Sequence, residues 1–160
     1  MRLFVAVDPD PTIRVRVETA TAALRSRLTG TGASIAWVLP EKLHLTLVFL
    51  GEVNGMAVDR ITHAVAAGWS QELFSVTLPA AGVFPDSGAP RVICLAAGEG
   101  FNALGTLHTA VCKRLEELIF RHEEGVFRTH LTLGRVRHST PGVGRLIRKV
   151  LKGLPLMLAG

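Results

Sequence analysis

The sequence of 160 residues contains no tyrosine, two cysteines and few charged residues, which make up 19% of the chain. Cys94 and Cys112 are too far apart for a CxxC motif and too few for a disulfide scaffold, so we expect both to be small buried side chains. No run approaches the roughly 18 apolar residues of a membrane span, and the start lacks the pattern of a secretory signal. With a mean hydropathy of +0.35, the sequence predicts a soluble, cytoplasmic protein with a sizeable core rather than a disordered chain.

Positive charge is in excess and unevenly distributed. The 18 Lys and Arg residues against 13 Asp and Glu residues give a formal net charge of +5. From Arg121 onward the chain carries eight basic and two acidic residues, a net charge of +6, whereas the first 120 residues carry −1. A basic segment on a nearly neutral body predicts a polyanionic partner, because phosphates attract Lys and Arg. The alternative is a helix face that is simply solvated.

Hydrophobic periodicity predicts strands and helices without a regular βαβ alternation. Apolar and β-branched runs predict strands at residues 1–7, 34–38, 43–50, 74–78, 91–96 and 127–136. Apolar residues at helical spacing predict helices at residues 11–28, 54–67, 101–118 and 143–151. Glycine and proline predict a loop between residues 78 and 91. The pattern favours an α+β fold with antiparallel sheets, arranged as one compact bilobed unit.

The tetrapeptide His-Leu-Thr-Leu occurs twice, at residues 44–47 and at residues 130–133. A specified tetrapeptide arises by chance about once in 10⁵ positions, so the repeat calls for a reason. Both copies lie in predicted strands, where side chains alternate between two faces. The leucines should therefore point into the core, while the histidine and threonine of each copy share the opposite face.

Two strands related by an approximate twofold axis would bring both His-x-Thr faces to one cleft. Such a cleft suits acid–base chemistry at phosphorus, because one imidazole can take a proton from water while the other gives one to the departing oxygen. The threonine hydroxyls can donate hydrogen bonds to the non-bridging oxygens, where negative charge is held. Neither a metal ion nor a covalent intermediate is required.

Other interpretations of these residues stay open at this point. A single histidine on a strand is often a half-buried structural side chain, although the second copy argues against that interpretation. A metal site would lack Cys, Asp or Glu at ligand spacing, and a Ser or Cys nucleophile would lack a nucleophile-elbow motif. The apolar helix stripe that carries His108 indicates a core or capping histidine. No motif surrounds the remaining histidines, His63, His122 and His138.

Four segments carry a resemblance to a known family. They are MRLFVAVD at residues 1–8, WVLPEKLHLTLVFLGEV at 37–53, the Phe-Pro and Pro-Arg-Val of residues 84–92, and FRTHLTLGRV at 127–136. The chain resembles the 2H phosphoesterases, and among them the RNA 2′,3′-cyclic phosphodiesterases, also called 2′–5′ RNA ligases. The resemblance implies a bilobed α+β fold with a pseudo-twofold axis and a central groove. It also implies conversion of an RNA 2′,3′-cyclic phosphate end to a 2′-phosphomonoester without metal or cofactor, and reversible 2′–5′ joining of ends such as those of tRNA fragments.

Carried over residue by residue, the resemblance implies that His44 and His130 are the catalytic pair and that Thr46 and Thr132 bind the phosphate. We assign His130 as the base that activates water and His44 as the acid that protonates the leaving O3′. The partner is therefore expected to be RNA with a 2′,3′-cyclic phosphate end, with no metal, no cofactor and no membrane.

Two further site residues follow from the resemblance. Phe49 matches an aromatic residue of the nucleotide pocket, with ordinary core packing as the alternative. Arg135 matches the arginine that follows the second motif, where a guanidinium group suits paired phosphate oxygens. Strict alternation from His130 would place Arg135 on the opposite face, so its role requires a twist or bulge after Leu133.

The sequence departs from the family pattern in two places. Thr129 stands where the family usually has proline before the second histidine, a change that could loosen the start of the strand. Residues 154–160 end the chain without the further sheet and the Ser- and Tyr-containing tail of other members, so we expect one domain, residues 1–160, with a shortened C-terminal end. The oligomeric state stays open. The functional alternatives are an RNA-end binding protein with little turnover, and a phosphodiesterase for 2′–5′ oligonucleotides or small cyclic nucleotides.

Overall fold

Helices and strands alternate irregularly along the computed structural model, which describes residues 1–118, 127–138 and 140–153, and the backbone of 158–159. The strands are β1 (Arg2–Val7), β2 (Ser34–Trp37), β3 (Leu45–Glu52), β4 (Thr77–Leu78), β5 (Ala80–Phe84), β6 (Val92–Ala96), β7 (His130–His138) and β8 (Leu158–Ala159). The helices are α1 (Pro11–Leu28), α2 (Gly55–Ala66), α3 (Phe101–Glu116) and α4 (Pro141–Lys152), with a short 3₁₀ helix at Pro40–Lys42. The predicted α+β class is confirmed.

Local sequence signals determine where the helices begin. The side chain of Asp10 accepts a hydrogen bond from the backbone nitrogen of Ile13 at 3.0 Å, and Pro11 fills the first helical position of α1. Asn54 and Thr140 cap α2 and α4 in the same way. Each cap satisfies a backbone N–H group that the start of a helix would otherwise leave unpaired.

A strand, a helix, a motif strand and a second helix occur in this order twice along the chain. They are β1, α1, β3 and α2 in the first unit, where β2 and the 3₁₀ helix stand between α1 and β3, and β6, α3, β7 and α4 in the second. In each unit the first strand pairs antiparallel with the motif strand. The two units join where β3 and β7 pair antiparallel at Leu45 and Leu131. An approximate twofold axis therefore passes close to this pair, as the repeated motif predicts.

The larger sheet has the strand order β1-β3-β7-β6-β5, and β2 pairs with β7. Its core face carries the leucines of both motifs, Leu45, Leu47, Leu131 and Leu133, all of which are buried. They belong to one hydrophobic cluster that includes residues of all four helices. Because burying a leucine side chain contributes about 1.5–3 kcal/mol, these residues fix which face of each motif strand stays open.

The predicted loop between residues 78 and 91 contains a strand. β5 pairs along its whole length with β6, and Gly82 lies opposite Cys94. The sequence of β5, AAGVF, has small residues instead of an alternating β-branched pattern, so its pairing with β6 rather than local propensity makes it a strand. The strand predicted at residues 74–78 is correspondingly reduced to the two residues of β4.

The C-terminal part of the chain is described only in part. Residues 154–157 and 160 lie outside the described residues, and the two residues of β8 pair with β4. The expectation of a shortened C-terminal end therefore stays a prediction. None of the helices in the described ranges combines the length and the hydropathy that a membrane crossing requires.

Candidate active site

Residues of both motifs line one cavity of about 770 Å³. This volume falls within the range of about 300–1,000 Å³ that is typical of small-molecule sites. Every residue that the sequence indicates as a site residue lines it, namely His44, Thr46, Phe49, His130, Thr132 and Arg135.

The two motifs meet in an antiparallel arrangement. β3 and β7 pair through the leucine that follows each histidine. Because the strands are antiparallel, residues before Leu45 and residues after Leu131 lie on the same side of this pair. His44 is therefore on the side of Thr132, and His130 is on the side of Thr46. A phosphate between the strands can therefore contact groups from both motifs.

Two contacts hold the imidazole of His44. Its Nδ1 lies 2.8 Å from the carbonyl oxygen of Lys42. Because a carbonyl only accepts hydrogen bonds, Nδ1 carries the hydrogen, and Nε2 is the nitrogen that can exchange a proton with a ligand. The ring of Phe4 stacks on the imidazole with centroids 4.7 Å apart and an interplanar angle of 23°. The sequence analysis did not identify Phe4, which looks like an ordinary strand residue within an apolar run.

Each motif strand carries a one-residue bulge at the same position. In β3, Leu47 has no partner in β1, because its two neighbours pair with successive residues of β1. In β7, Leu133 has the same place relative to β6. Each bulge lies three residues after the motif histidine and shifts the alternation of faces by one. The fifth residue after each histidine, Phe49 in β3 and Arg135 in β7, therefore faces the cavity.

The bulges answer two questions that the sequence raised. Arg135 lies on the cavity side because Leu133 bulges, at the place where the sequence analysis required an irregularity. Phe49 is 52% exposed, so the alternative of ordinary core packing is wrong. The contact of Phe49 with a nucleotide and of Arg135 with a phosphate stay predictions.

Thr129 links the two motif strands directly. It is 6% exposed, and its Oγ1 donates a hydrogen bond to the carbonyl oxygen of Thr46 at 3.0 Å. Within the described residues, β3 and β7 pair through one residue on each strand, so this side-chain bond adds substantially to their connection. Thr129 in place of proline was expected to loosen the start of β7, but its hydroxyl instead forms a hydrogen bond that connects β7 to β3.

His108 lines the cavity from α3, which differs from the core or capping role that its stripe suggests. The side chain is half-buried, and its ring lies 4.4 Å from the ring of Phe127, centroid to centroid. Its Nε2 lies 3.5 Å from Sγ of Cys112. A histidine at the edge of an apolar stripe can reach a cavity as readily as the core, and the sequence carries no signal that distinguishes the two. His122 lies outside the described residues.

The charge of the cavity favours an anionic ligand. Three basic residues, Lys42, Arg128 and Arg135, belong to the lining, and no Asp or Glu belongs to it in the part of the chain that the structure describes. The sequence analysis did not single out Lys42, because the first 120 residues are nearly neutral in total. In this fold one cation from that segment joins two from the basic C-terminal quarter.

Covalent and metal-dependent alternatives find little support in the described residues. No serine or cysteine belongs to the described cavity lining. Burial raises the pKa of the Cys94 thiol to about 11, with a further contribution from Asp86. Burial also raises the pKa of the Cys112 thiol, and Glu116 adds to the effect. No group of three or more His, Cys, Asp or Glu side chains that could hold a metal occurs among these residues. Independence from metal stays a prediction.

Comparison with known proteins establishes the family. A sequence model described as the 2′-5′ RNA ligase superfamily matches residues 9–156. The chain belongs to this superfamily. An RNA 2′,3′-cyclic phosphodiesterase of Archaeoglobus fulgidus is 39% identical over 149 residues, which cover 93% of this chain and 80% of the relative. One of Thermotoga maritima with the same name is 32% identical over 151 residues, covering 94% and 78%. The resemblance to the 2H phosphoesterases is confirmed.

Solved structures of superfamily members share the fold. The crystal structure of TT0787 of Thermus thermophilus matches with a TM-score of 0.65 and 30% identity, covering 88% of this chain and 77% of the other. The crystal structure of Escherichia coli LigT complexed with 3′-AMP also has a TM-score of 0.65, at 26% identity and the same coverage. The α+β arrangement of this chain is therefore the arrangement of the superfamily.

Proposed function

We propose that this chain hydrolyses RNA 2′,3′-cyclic phosphate ends to 2′-phosphomonoesters. The observation that carries the proposal is the meeting of two His-x-Thr motifs, strand against strand, in one basic cavity. Two titratable groups on either side of a bound phosphate are what an acid–base displacement at phosphorus needs. The names of the relatives from Archaeoglobus fulgidus and Thermotoga maritima support the same reaction.

The chemistry assigns one histidine to each end of the displacement. His130 takes a proton from water as the water oxygen attacks phosphorus. The P–O3′ bond breaks, and His44 gives a proton to O3′, which leaves a 3′-hydroxyl and a 2′-phosphate. The bond from Nδ1 of His44 to the Lys42 carbonyl supports this role, because it orients Nε2 for proton transfer. Exchange with solvent then restores both protonation states.

The remaining groups stabilise the charge on the phosphate. Thr46 and Thr132 donate their hydroxyl hydrogens to the non-bridging oxygens, and Arg135 adds a charged, two-pronged donor. Fixed donors act on charge that develops in the transition state, so they lower the barrier without a metal ion.

The same site supports ligation when a 5′-hydroxyl replaces water. The attacking O5′ then forms the new bond to phosphorus while the P–O3′ bond breaks, and the product is a 2′–5′ phosphodiester. By microscopic reversibility the enzyme also cleaves that linkage, with each histidine in the opposite protonation state. RNA fragments such as tRNA halves are substrates of suitable chemistry for both directions.

The decisive experiment is hydrolysis of an oligonucleotide with a 2′,3′-cyclic phosphate end in the presence of EDTA. We expect full activity and a product that carries its phosphate on O2′. Activity that EDTA abolishes and Mg²⁺ or Mn²⁺ restores would contradict the metal-independent mechanism. A 3′-phosphate product would contradict the assignment of O3′ as the leaving group.

Single variants test the catalytic pair. His44→Ala and His130→Ala should each lower kcat by about 10²–10⁴-fold, the usual contribution of a general acid or base. His138→Ala is the matched control, because this exposed histidine stands at the end of β7 and does not line the cavity. Tight binding of cyclic-phosphate ends by the wild type without any product would instead favour an RNA-end binding protein.

A further inference from the structure

Two basic side chains of the cavity have no part in the displacement at phosphorus. Lys42 and Arg128 both line the cavity, and both are exposed. Each stands two residues before its motif histidine, so the approximate twofold axis relates them. Neither takes part in an ion pair with any of the described residues. Two cations without an ion-pair partner among the described residues thus stand beside the reacting centre.

The backbone that carries each cation is held next to a motif. The carbonyl of Lys42 accepts the hydrogen bond from Nδ1 of His44 at 2.8 Å. Arg128 precedes Thr129, whose hydroxyl is bonded to the carbonyl of Thr46 at 3.0 Å. The two side chains can move, but they start from positions that are fixed relative to the catalytic pair. Fixed starting points make a repeatable contact with a ligand possible at lower entropic cost.

Antiparallel pairing places the two cations on opposite sides of the catalytic pair. Lys42 precedes Leu45 by three residues, Arg128 precedes Leu131 by three, and the two leucines pair. Because the strands run in opposite directions, the cations lie in opposite directions from this pair. Lys42 ends the 3₁₀ helix before β3, and Arg128 stands two residues before β7. A ligand that contacts both side chains therefore extends across the catalytic pair.

Both sides of the cavity carry further groups that suit RNA. Arg135 follows the paired leucine in β7 and therefore lies on the side of Lys42, whereas Phe49 follows it in β3 and lies on the side of Arg128. Phe84 pairs with Val92, which pairs with Arg135, so each side offers a cation and an exposed aromatic ring of the cavity lining. A basic groove with aromatic rings is the usual surface for a single strand of nucleic acid, where the rings stack on bases and the cations bind phosphates.

We propose that RNA occupies both sides of the reacting phosphorus and that Lys42 and Arg128 each bind an internucleotide phosphate. His44, which protonates the leaving O3′, lies on the Lys42 side of the paired leucines, so the strand that ends in the cyclic phosphate lies there and Lys42 binds the next phosphate of that strand. The strand that supplies a 5′-hydroxyl lies on the Phe49 side, where His130 activates it and Arg128 binds its phosphate. The ligand class is therefore RNA that extends on both sides of a 2′–5′ junction. The inference rests on the proposed function, because it uses the same reacting centre.

Three RNA ligands of different extent test the inference. Adenosine 2′,3′-cyclic monophosphate has no internucleotide phosphate, an oligonucleotide with a cyclic-phosphate end extends to one side, and a fluorescent 2′–5′-linked oligonucleotide extends to both. Lys42→Gln should raise KM for the one-sided oligonucleotide about fivefold, and far more than for the mononucleotide. Arg128→Gln should weaken binding of the 2′–5′-linked oligonucleotide about fivefold and affect the one-sided substrate much less. The binding is measured by anisotropy in a His130→Ala background, because the active protein would cleave the linkage.

Matched controls remove the same charge elsewhere. Arg145→Gln and Lys149→Gln change exposed residues of α4, which does not line the cavity, and they should leave these selectivities as in the wild type. In anisotropy, each cavity variant should also reduce the slope of log Kd against log salt by about 0.7, the value for one contact to single-stranded nucleic acid.

Several results would overturn the inference. They are an equal effect of Lys42→Gln on the mononucleotide and the oligonucleotide, unchanged binding of the 2′–5′-linked oligonucleotide by Arg128→Gln, or the same losses in the α4 controls. If the wild type fails to turn over any cyclic phosphate, the proposed function is wrong. The anisotropy measurement needs no turnover, so it still decides whether the two cations bind RNA.

Discussion

Replacing Thr129 by valine tests how the two motif strands are held together. The change keeps the shape of the side chain and removes the hydroxyl that donates to the Thr46 carbonyl at 3.0 Å. Thr129 is 6% exposed and the bond is partly buried, so water replaces the lost donor only in part. A buried group left without its hydrogen bond costs about 1–3 kcal/mol. For a chain of this length that loss lowers Tm by about 2–4 °C per kcal/mol, measured by thermal or urea unfolding.

The same substitution should also lower activity. The bond lies between the residue before His130 and the backbone of Thr46, so its loss allows the two motifs to shift relative to each other. Because a small misplacement of catalytic groups costs rate rather than affinity, we expect kcat to fall about tenfold or more while KM changes little. Thr129→Ser keeps the donor and should restore most of kcat.

The matched control for Thr129→Val is Thr21→Val. Thr21 is the other buried polar residue of the described chain, and it lies in α1 and does not line the cavity. Its replacement can change stability but should leave kcat as in the wild type. A Thr129→Val protein with unchanged kcat at a temperature where it is fully folded would refute the argument that this bond aligns the motifs. An unchanged unfolding midpoint would refute the argument that it stabilises the fold.

Three other predictions concern single residues. Gly134→Ala should lower the free energy of unfolding by about 1–3 kcal/mol, because the new Cβ would lie 2.8 Å from Cγ2 of Ile35 in β2. Urea unfolding measures this loss, and an unchanged midpoint would contradict it. Cys94 should react slowly with iodoacetamide in the native protein at pH 8, and faster as the pH rises towards its pKa of about 11, as followed by peptide mass spectrometry. A rate at pH 8 equal to that of the unfolded chain would contradict the protection. Phe4→Leu removes the ring that stacks on the imidazole of His44. Because an aromatic pair contributes about 0.5–1.5 kcal/mol, kcat should fall about two- to tenfold. An unchanged kcat would show that the ring contributes nothing to catalysis.

The sequence predicts the centre of the site well, because that centre depends on features that are local and repeated. A tetrapeptide with strict alternation assigns its leucines to the core and its polar residues to one face, and repetition of the whole element implies a twofold arrangement. Both inferences survive folding, since Leu45 pairs with Leu131 and all four motif leucines are buried. No long-range knowledge is needed for either step.

Features that depend on neighbouring strands are harder to predict. The bulges at Leu47 and Leu133 arise from the register with β1 and β6, and nothing within the motif strands themselves marks them. Strict alternation places Arg135 on the face opposite to His130, whereas the family resemblance implies that it binds the phosphate. Only this conflict indicated an irregularity in the strand. The same conflict existed for Phe49, five residues after its histidine, and a comparison of the two copies residue by residue would have shown it. The strand β5 and the cavity position of His108 depend on packing and have no comparable signal.

The excess of positive charge predicts the kind of partner but not the residues that bind it. It predicts a polyanionic partner, and the cavity is indeed basic, but only two of the eight basic residues from Arg121 onward, Arg128 and Arg135, line the described part of it. The basic residues of α4 lie outside the cavity, and Arg148 among them donates hydrogen bonds to the carbonyls of Pro85 and Gly88. Exposed charges are screened beyond about 8 Å at physiological salt, so α4 can attract RNA in general without recognising its end. We therefore expect recognition of the RNA end to depend on the three cations of the cavity, and one of them, Lys42, belongs to the part of the chain whose net charge is −1.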